Sequence, residues 1–292
     1  MRYDSNPYEQ LFAQDCTKDE QPRQSGVGNY RVKTIKAGNQ LEVEAYPIWN
    51  TVGERYRAEQ LVTKEAQRNL NARNARKHLS RKLNANFTDA DLSVTLTYGE
   101  GEVPDIDGAR TDMRNYIKRI KRARAKRGLP PPKYIYVIEY GEGDGRRKRV
   151  HHHLIISGGM ERDEVEALWR KGRVNADRLK ADAYGYEALA RYLLKEKRAR
   201  SAEGQGKCYS CSRNLKDPTI TISDTKLSKR QAQRLAEDVE SSAPEIFGRL
   251  YPAYEYNDCR VARSDFVAGV YVYARLHREP KEKPKKVRRK RE

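Results

Sequence analysis

Residues 133–156 read KYIYVIEYGEGDGRRKRVHHHLII: two apolar, strand-like runs, KYIYVIEY and VHHHLII, on either side of a polar Gly-rich loop. That pattern predicts an antiparallel hairpin. With a turn near Gly145, Glu139 faces His151 and Val137 faces His153. Side chains alternate along a strand, so His151 and His153 share one face with Ile155, while His152 turns to the other with Val150, Leu154 and Ile156. Directly opposed residues also share a face, which adds Glu139 to the histidine pair. Glu139 is the one acid inside YIYVIEY, where an unpaired charge is costly. Two imidazoles and a carboxylate on one face, with coordination positions left open, suit a divalent cation that must also bind a substrate oxygen. A plainer reading is that three histidines after a basic loop only add positive charge for nucleic acid. The His-x-His spacing and the lone glutamate select the same face independently.

Outward from this hairpin the pattern is regular. LSVTLTY (92–98) alternates apolar and polar residues as a strand with one polar face does. Between it and the hairpin, Ala109, Met113, Tyr116, Ile117 and Ile120 recur at helical spacing, with nine Lys and Arg from Arg110 to Arg127 and a stop at Gly128 and prolines 130–132. After it come helical patterns in RDEVEALWRKG and YEALARYLLKEKRAR, a Gly-containing link and the strand TITIS. On the second helix Tyr186, Leu189, Ala190 and Leu193 form the side that packs on the sheet. Tyr192 and Lys195 lie outside that cluster, which presents a phenol beside the sheet with a cation one turn away. A surface pair is the plainer reading; a metal-ligand hairpin upstream favours a positioned hydroxyl, because phosphoryl transfer needs both.

Two alternating runs around Ala37-Gly38-Asn39-Gln40 predict a β-ribbon, and the Gly- and Pro-free stretch from Arg55 to about Leu83 a helix, with His78 as a packing residue. A helix near 228–240, the run LYPAYEYN and the strand DFVAGVYVYARL either extend the central sheet or cap it. This divides the chain into a flexible leader (1–28), a ribbon and helix (29–89), a central domain (90–225), an α/β extension of it (226–277) and a disordered basic tail (278–292). The fold class is α+β, with a largely antiparallel sheet of about five strands flanked by helices.

The 292 residues carry 60 Lys and Arg against 41 Asp and Glu, a net charge of +19, with a pI near 9.7 and mean hydropathy of −0.99. A hydrophobic share of 37% suffices for a core and argues against full disorder. The charge surplus points to a polyanionic partner, nucleic acid before membrane. Arg114, Lys118 and Arg122 on the basic helix, with Arg146, Arg147, Lys148 and Arg149 in the hairpin loop, are the expected phosphate contacts. No stretch is long and apolar enough for a membrane span and the start lacks a signal peptide core, so an intracellular, cytoplasmic protein is expected. Four cysteines make no disulfide framework, and Cys208-x-x-Cys211 is half a zinc site without a second close pair. Neither Gly-rich segment ends in Lys-Ser/Thr, so no nucleotide cofactor is expected.

The strand DLSVTLTY, the paired strands with Glu139 and His151-His152-His153, and the helix with Tyr192-Leu193-Leu194-Lys195 resemble the three ordered motifs of the HUH endonucleases, in particular the rolling-circle replication initiators (Rep) of phages, plasmids and small single-stranded DNA viruses. The resemblance covers roughly residues 90–225. It implies Mg2+ or Mn2+ held by His151, His153 and Glu139, with Tyr192 as the nucleophile that nicks one DNA strand and Lys195 as its helper. The sequence departs from the family at His152, where a hydrophobic residue is usual. A second tyrosine on the same helix face is also lacking, since Tyr186 lies about 240° away, so a single-tyrosine enzyme is expected. The implied partners are single-stranded or hairpin DNA at a replication origin, with a host helicase and polymerase, and nucleoid association in a bacterial host. Two alternatives stand beside this reading: a transposase or conjugative relaxase of the same superfamily, and a non-catalytic basic protein that binds single-stranded nucleic acid.

Overall fold

A computed structural model describes residues 27–49, 64–99, 103–141, 149–194, 209–263 and 269–279. The hairpin loop from Glu142 to Lys148, the stretch from Lys195 to Cys208, and nearly all of the leader and basic tail lie outside the described residues.

The central sheet forms where the alternation is strongest. Strands β3 (Leu92–Thr97), β4 (Tyr134–Gly141) and β5 (Arg149–Ile156) are neighbours, completed by β6 (Val174–Arg178) and β7 (Ser210–Cys211) in the order β6-β3-β5-β4-β7. All pairings are antiparallel, and β4 meets β5 with Glu139 opposite His151 and Val137 opposite His153, as the alternation requires. Helix α2 (Ile106–Lys126) starts at Asp105, whose side chain accepts from the Gly108 amide, and ends before Gly128 at φ 67°. It buries Ala109, Met113, Tyr116, Ile117 and Ile120 against Leu92, Val94, Leu96, Leu154 and Ile156. Each of its larger apolar side chains contributes about 1.5–3 kcal/mol by leaving water. The short α3 (Arg162–Ala167) packs beside it through Val165.

The opposite face of this sheet, the one bearing His151 and His153, is covered by α1 (Lys64–Asn86) and α4 (Glu187–Leu193). Leu79, Leu83 and Phe87 from α1 and its end meet Tyr186, Ala190, Leu193 and Leu194 over Ile135, Val137 and Ile155.

The terminal segments build a second five-stranded antiparallel sheet rather than extending the first. Its order is β8-β1-β2-β10-β9, from β1 (Val27–Ala37), β2 (Gln40–Trp49), β8 (Thr219–Ser223), β9 (Glu255–Arg263) and β10 (Val270–His277). The strand TITIS, expected beside the central strands, is β8 and pairs with β1 instead. Its residues are almost all exposed, Ile220 and Ile222 included, so local pattern carried no information about which sheet would accept it. The β1–β2 turn is Gly38-Asn39, as expected, with Gly38 at φ 58°. A side chain there would collide with the carbonyl of Asn84 in α1 at 2.1 Å, so the turn needs glycine for both conformation and space.

Helices α5 (Lys229–Glu237) and α6 (Val239–Leu250) close one face of this sheet through Leu235, Ile246 and Phe247 against Val43, Val272 and Leu276. The other face meets α1 through charges. Arg81 of α1 donates to Glu42 at 2.7 and 3.1 Å and to the fully buried Glu44 at 2.9 Å, and the Tyr273 hydroxyl donates to Glu42 at 2.7 Å. The molecule is thus layered helix, sheet, helix, sheet, helix, with α1 and α4 in the middle layer. That double role explains the loose apolar stripe of α1, which must satisfy an apolar sheet on one side and carboxylates on the other.

Candidate active site

Strand β5 delivers its three histidines to two environments. His152 points into the α2 face, fully buried, between Tyr98 and Trp169, with ring centroids at 5.6 and 5.4 Å. Tyr98 donates to Asp112 of α2 at 3.2 Å and lies 3.0 Å from His152 Nε2. Proton positions that satisfy both contacts make His152 Nε2–H a donor to Tyr98. Burial pulls the His152 imidazole down to about 4, against the opposing pull of Asp112. It is a neutral core residue, and its Nδ1 finds no hydrogen-bond partner among the described residues. The choice between the three histidines is therefore made by the pleat: His152 is on the wrong side of the sheet to join the other two.

His151 and His153 lie on the α4 face. Glu139 reaches diagonally past His151 and meets His153, with Oε2 3.2 Å from Nε2. Such diagonal contacts are within reach of long side chains on one sheet face. Thr95, opposite His153 on β3, places Oγ1 3.5 Å from Nδ1, where an orienting partner of a ligating imidazole stands. His153 is 6% exposed. His151 shares the face and is partly exposed, but among the described residues no three His, Cys, Asp or Glu side chains close on a common point. The expected three-ligand set is thus present as one contacting pair and one neighbour.

The donor chemistry of that pair fits a divalent cation. An octahedral ion with bonds of about 2.1 Å sets adjacent donors about 3 Å apart, and the facing Nε2 and Oε2 have that separation.

Tyr192 completes the cluster from above the sheet. Its ring stands edge-on to His153 at 5.5 Å between centroids, and the residue remains 41% exposed. Ala190, Leu193 and Leu194 bury the other side of α4. Tyr186 belongs to that packed side: its hydroxyl donates to Asp89 at 2.9 Å, and burial together with Asp89 raises its pKa. The helix thus holds one tyrosine in the core and shows one to solvent beside the histidines. Lys195 lies outside the described residues.

The basic contacts expected for DNA divide. Arg146, Arg147 and Lys148 lie outside the described residues, and of Arg149 only the backbone, opening β5, is described. Arg114, Lys118 and Arg122 are exposed, on the outer side of α2 and so across the sheet from Tyr192. Two cations of that helix serve the fold instead. Arg124, 3% exposed, donates to the carbonyls of Pro130, Ser157 and Gly158, and Arg119 to those of Leu168 and Trp169. A cation count along a helix does not separate these uses; the apolar neighbours Ile120 and Tyr116 mark the inner side only roughly. Sequence reasoning also missed Thr95, Tyr98 and Asp112, since their roles depend on which strand lies beside β5. Cys211 is a free, exposed thiol, and Cys208 lies outside the described residues.

Residues 91–197 match the family model of the replication-associated protein ORF2, a match consistent with a rolling-circle Rep protein. The segment runs from the start of the central sheet past α4, and contains Glu139, His151, His153, Tyr192 and Lys195. Neither the curated proteins nor the solved structures contain a match to this chain. No described helix is long and apolar enough to cross a membrane.

Proposed function

We propose, from the premise that residues 91–197 carry a replication-associated domain of the ORF2 family, that this protein is an HUH-type, metal-dependent endonuclease and strand-transferase that nicks single-stranded DNA at a replication origin. The observation that carries the reading is the contact of Tyr192, exposed on its outer side, with His153, which in turn meets Glu139. A hydroxyl that must attack a phosphate and a ligand pair that can hold a cation on that phosphate belong within one another's reach. The family match favours replication initiation over a transposase or a relaxase.

His153, Glu139 and His151 would hold Mg2+ or Mn2+, and the bound ion would supply Lewis-acid polarisation of the scissile phosphate. Tyr192 attacks phosphorus through its phenolic oxygen, and the bond to the 3′-oxygen breaks. The products are a 5′-phosphotyrosine and a 3′-hydroxyl that takes up the proton. A later 3′-hydroxyl reverses the exchange and joins the strand. Because the phosphodiester energy is stored in the tyrosine ester, the cycle needs no nucleotide cofactor, and strand separation and extension fall to a host helicase and polymerase. His152 takes no part beyond packing. The single-stranded or hairpin substrate reaches Tyr192 from its exposed side, and Arg114, Lys118 and Arg122 hold DNA that continues around the sheet.

The test is incubation with an origin-bearing single strand and Mn2+, followed by denaturing electrophoresis. A mass-shifted covalent band is expected from the native chain and none from Tyr192→Phe, with strand affinity retained. Glu139→Ala and His153→Ala should each raise the Mn2+ concentration needed, because one ligand of the set is gone. No adduct with any single strand would leave a non-catalytic binding protein.

A further inference from the structure

Helix α4 carries Tyr192 yet has only seven residues. A helix that short is unstable alone, so its direction is set by what grips it. The grip at its start comes from outside the family-matched segment. Asn257 of β9 donates to the carbonyl of Ala183 at 2.6 Å, and Asn84 of α1 accepts from the amide of Tyr186 at 2.9 Å. Gly185, at φ 64°, is enclosed so tightly that a side chain there would overlap Asn84 and Gln40.

The strongest of these contacts belongs to Arg275 of β10. One arm of its guanidinium donates to Glu187, in the first turn of α4, at 2.5 Å; the others pair with Asp258 of β9, with Nε at 2.8 Å. The same group lies over the ring of Tyr184, 4.3 Å from its centre. Its side chain is 17% exposed and Glu187's 33%, so the pair is partly shielded from water and more than a surface ion pair. A rigid fork that joins two carboxylates on different elements fixes a direction, which a lysine at the same place cannot do.

We propose that the second sheet is a clamp on the nucleophile helix, with Arg275 as a positioning residue that sets where Tyr192 stands relative to His153. This deepens the reading of Tyr192 as nucleophile and rests on it. Matching the family only over 91–197, the chain carries a nicking core whose tyrosine is aimed by its flanking segments.

The experiment compares full-length native chain, Arg275→Ala and Arg275→Lys by single-turnover adduct formation with a labelled origin strand, by strand affinity, and by hydrogen exchange over residues 183–194. Arg275→Ala is expected to slow adduct formation roughly ten- to hundred-fold, as small misplacements of reacting groups do. Its strand affinity and Mn2+ requirement should stay native, and exchange should rise in 183–194 but not in β3 to β5. Arg275→Lys should recover part of the rate. A native rate in Arg275→Ala, or a loss of rate matched by equal loosening of β3 to β5, overturns the clamp while the native adduct keeps Tyr192 as nucleophile. Absence of adduct from the native chain overturns both.

Discussion

Tyr186 and Tyr192 show how position on one short helix separates a structural phenol from a reactive one. Tyr186→Phe removes the hydroxyl that bonds Asp89, while Asp89 still accepts from the amide of Ala181. It should cost about 1 kcal/mol of stability and leave adduct formation unchanged, as denaturant unfolding beside the nicking assay will show. Loss of the adduct in Tyr186→Phe, with Tyr192→Phe still active, would reverse the assignment. The facing of Glu139 and His151 was legible because a hairpin's register follows from its turn and its alternation. The contact Glu139 makes was not legible. A four-bond side chain chooses between the opposed and the diagonal histidine, and the choice of His153 depends on how Thr95 and Tyr192 crowd that ring.

Helix α2 mixes cations that hold the fold with cations that face water, and substitution separates them. Arg124→Ala leaves the carbonyls of Pro130, Ser157 and Gly158 without their donor and should cost about 2–3 kcal/mol. Arg122→Ala should stay within about 0.5 kcal/mol but flatten the salt dependence of DNA binding by roughly one ion. Equal stability losses in thermal unfolding would refute the division. Elements with strong periodicity, such as β3 and α2, were readable from their residues. Strand β6 was not, because VNADR buries only Ala176 and shows no alternation. Helix α6 was hidden by Pro244 in its interior, although Asp238 caps it by accepting from the amide of Ser241.

At the scale of the whole molecule, the two sheets are joined through α1 by an ionic layer, and that layer has a pH signature. Burial alone would push the Glu42 carboxyl up, but Arg81, with the Tyr273 hydroxyl and Lys77, brings it down to about 2 from an ordinary 4.5. A carboxylate depressed by folding stabilises fully above its unfolded value, and the contribution disappears as pH falls from 4.5 towards 2. The stability gap between native chain and Glu42→Gln should therefore be widest above about pH 5 and close in acid; a gap independent of pH in denaturant titrations would count against the pairing. The partnership of β2 with β10 lay beyond any local pattern, since it joins the two flanks of the chain across the entire central domain. That same partnership gives the protein a clock. A ribosome releases Tyr192 while Arg275 is still unmade, and β10 can enter between β2 and β9 only when both are present. If Arg275 aims the nucleophile, the nascent polypeptide holds an unaimed tyrosine through most of its translation, and cutting begins only after the last strand has been threaded into place.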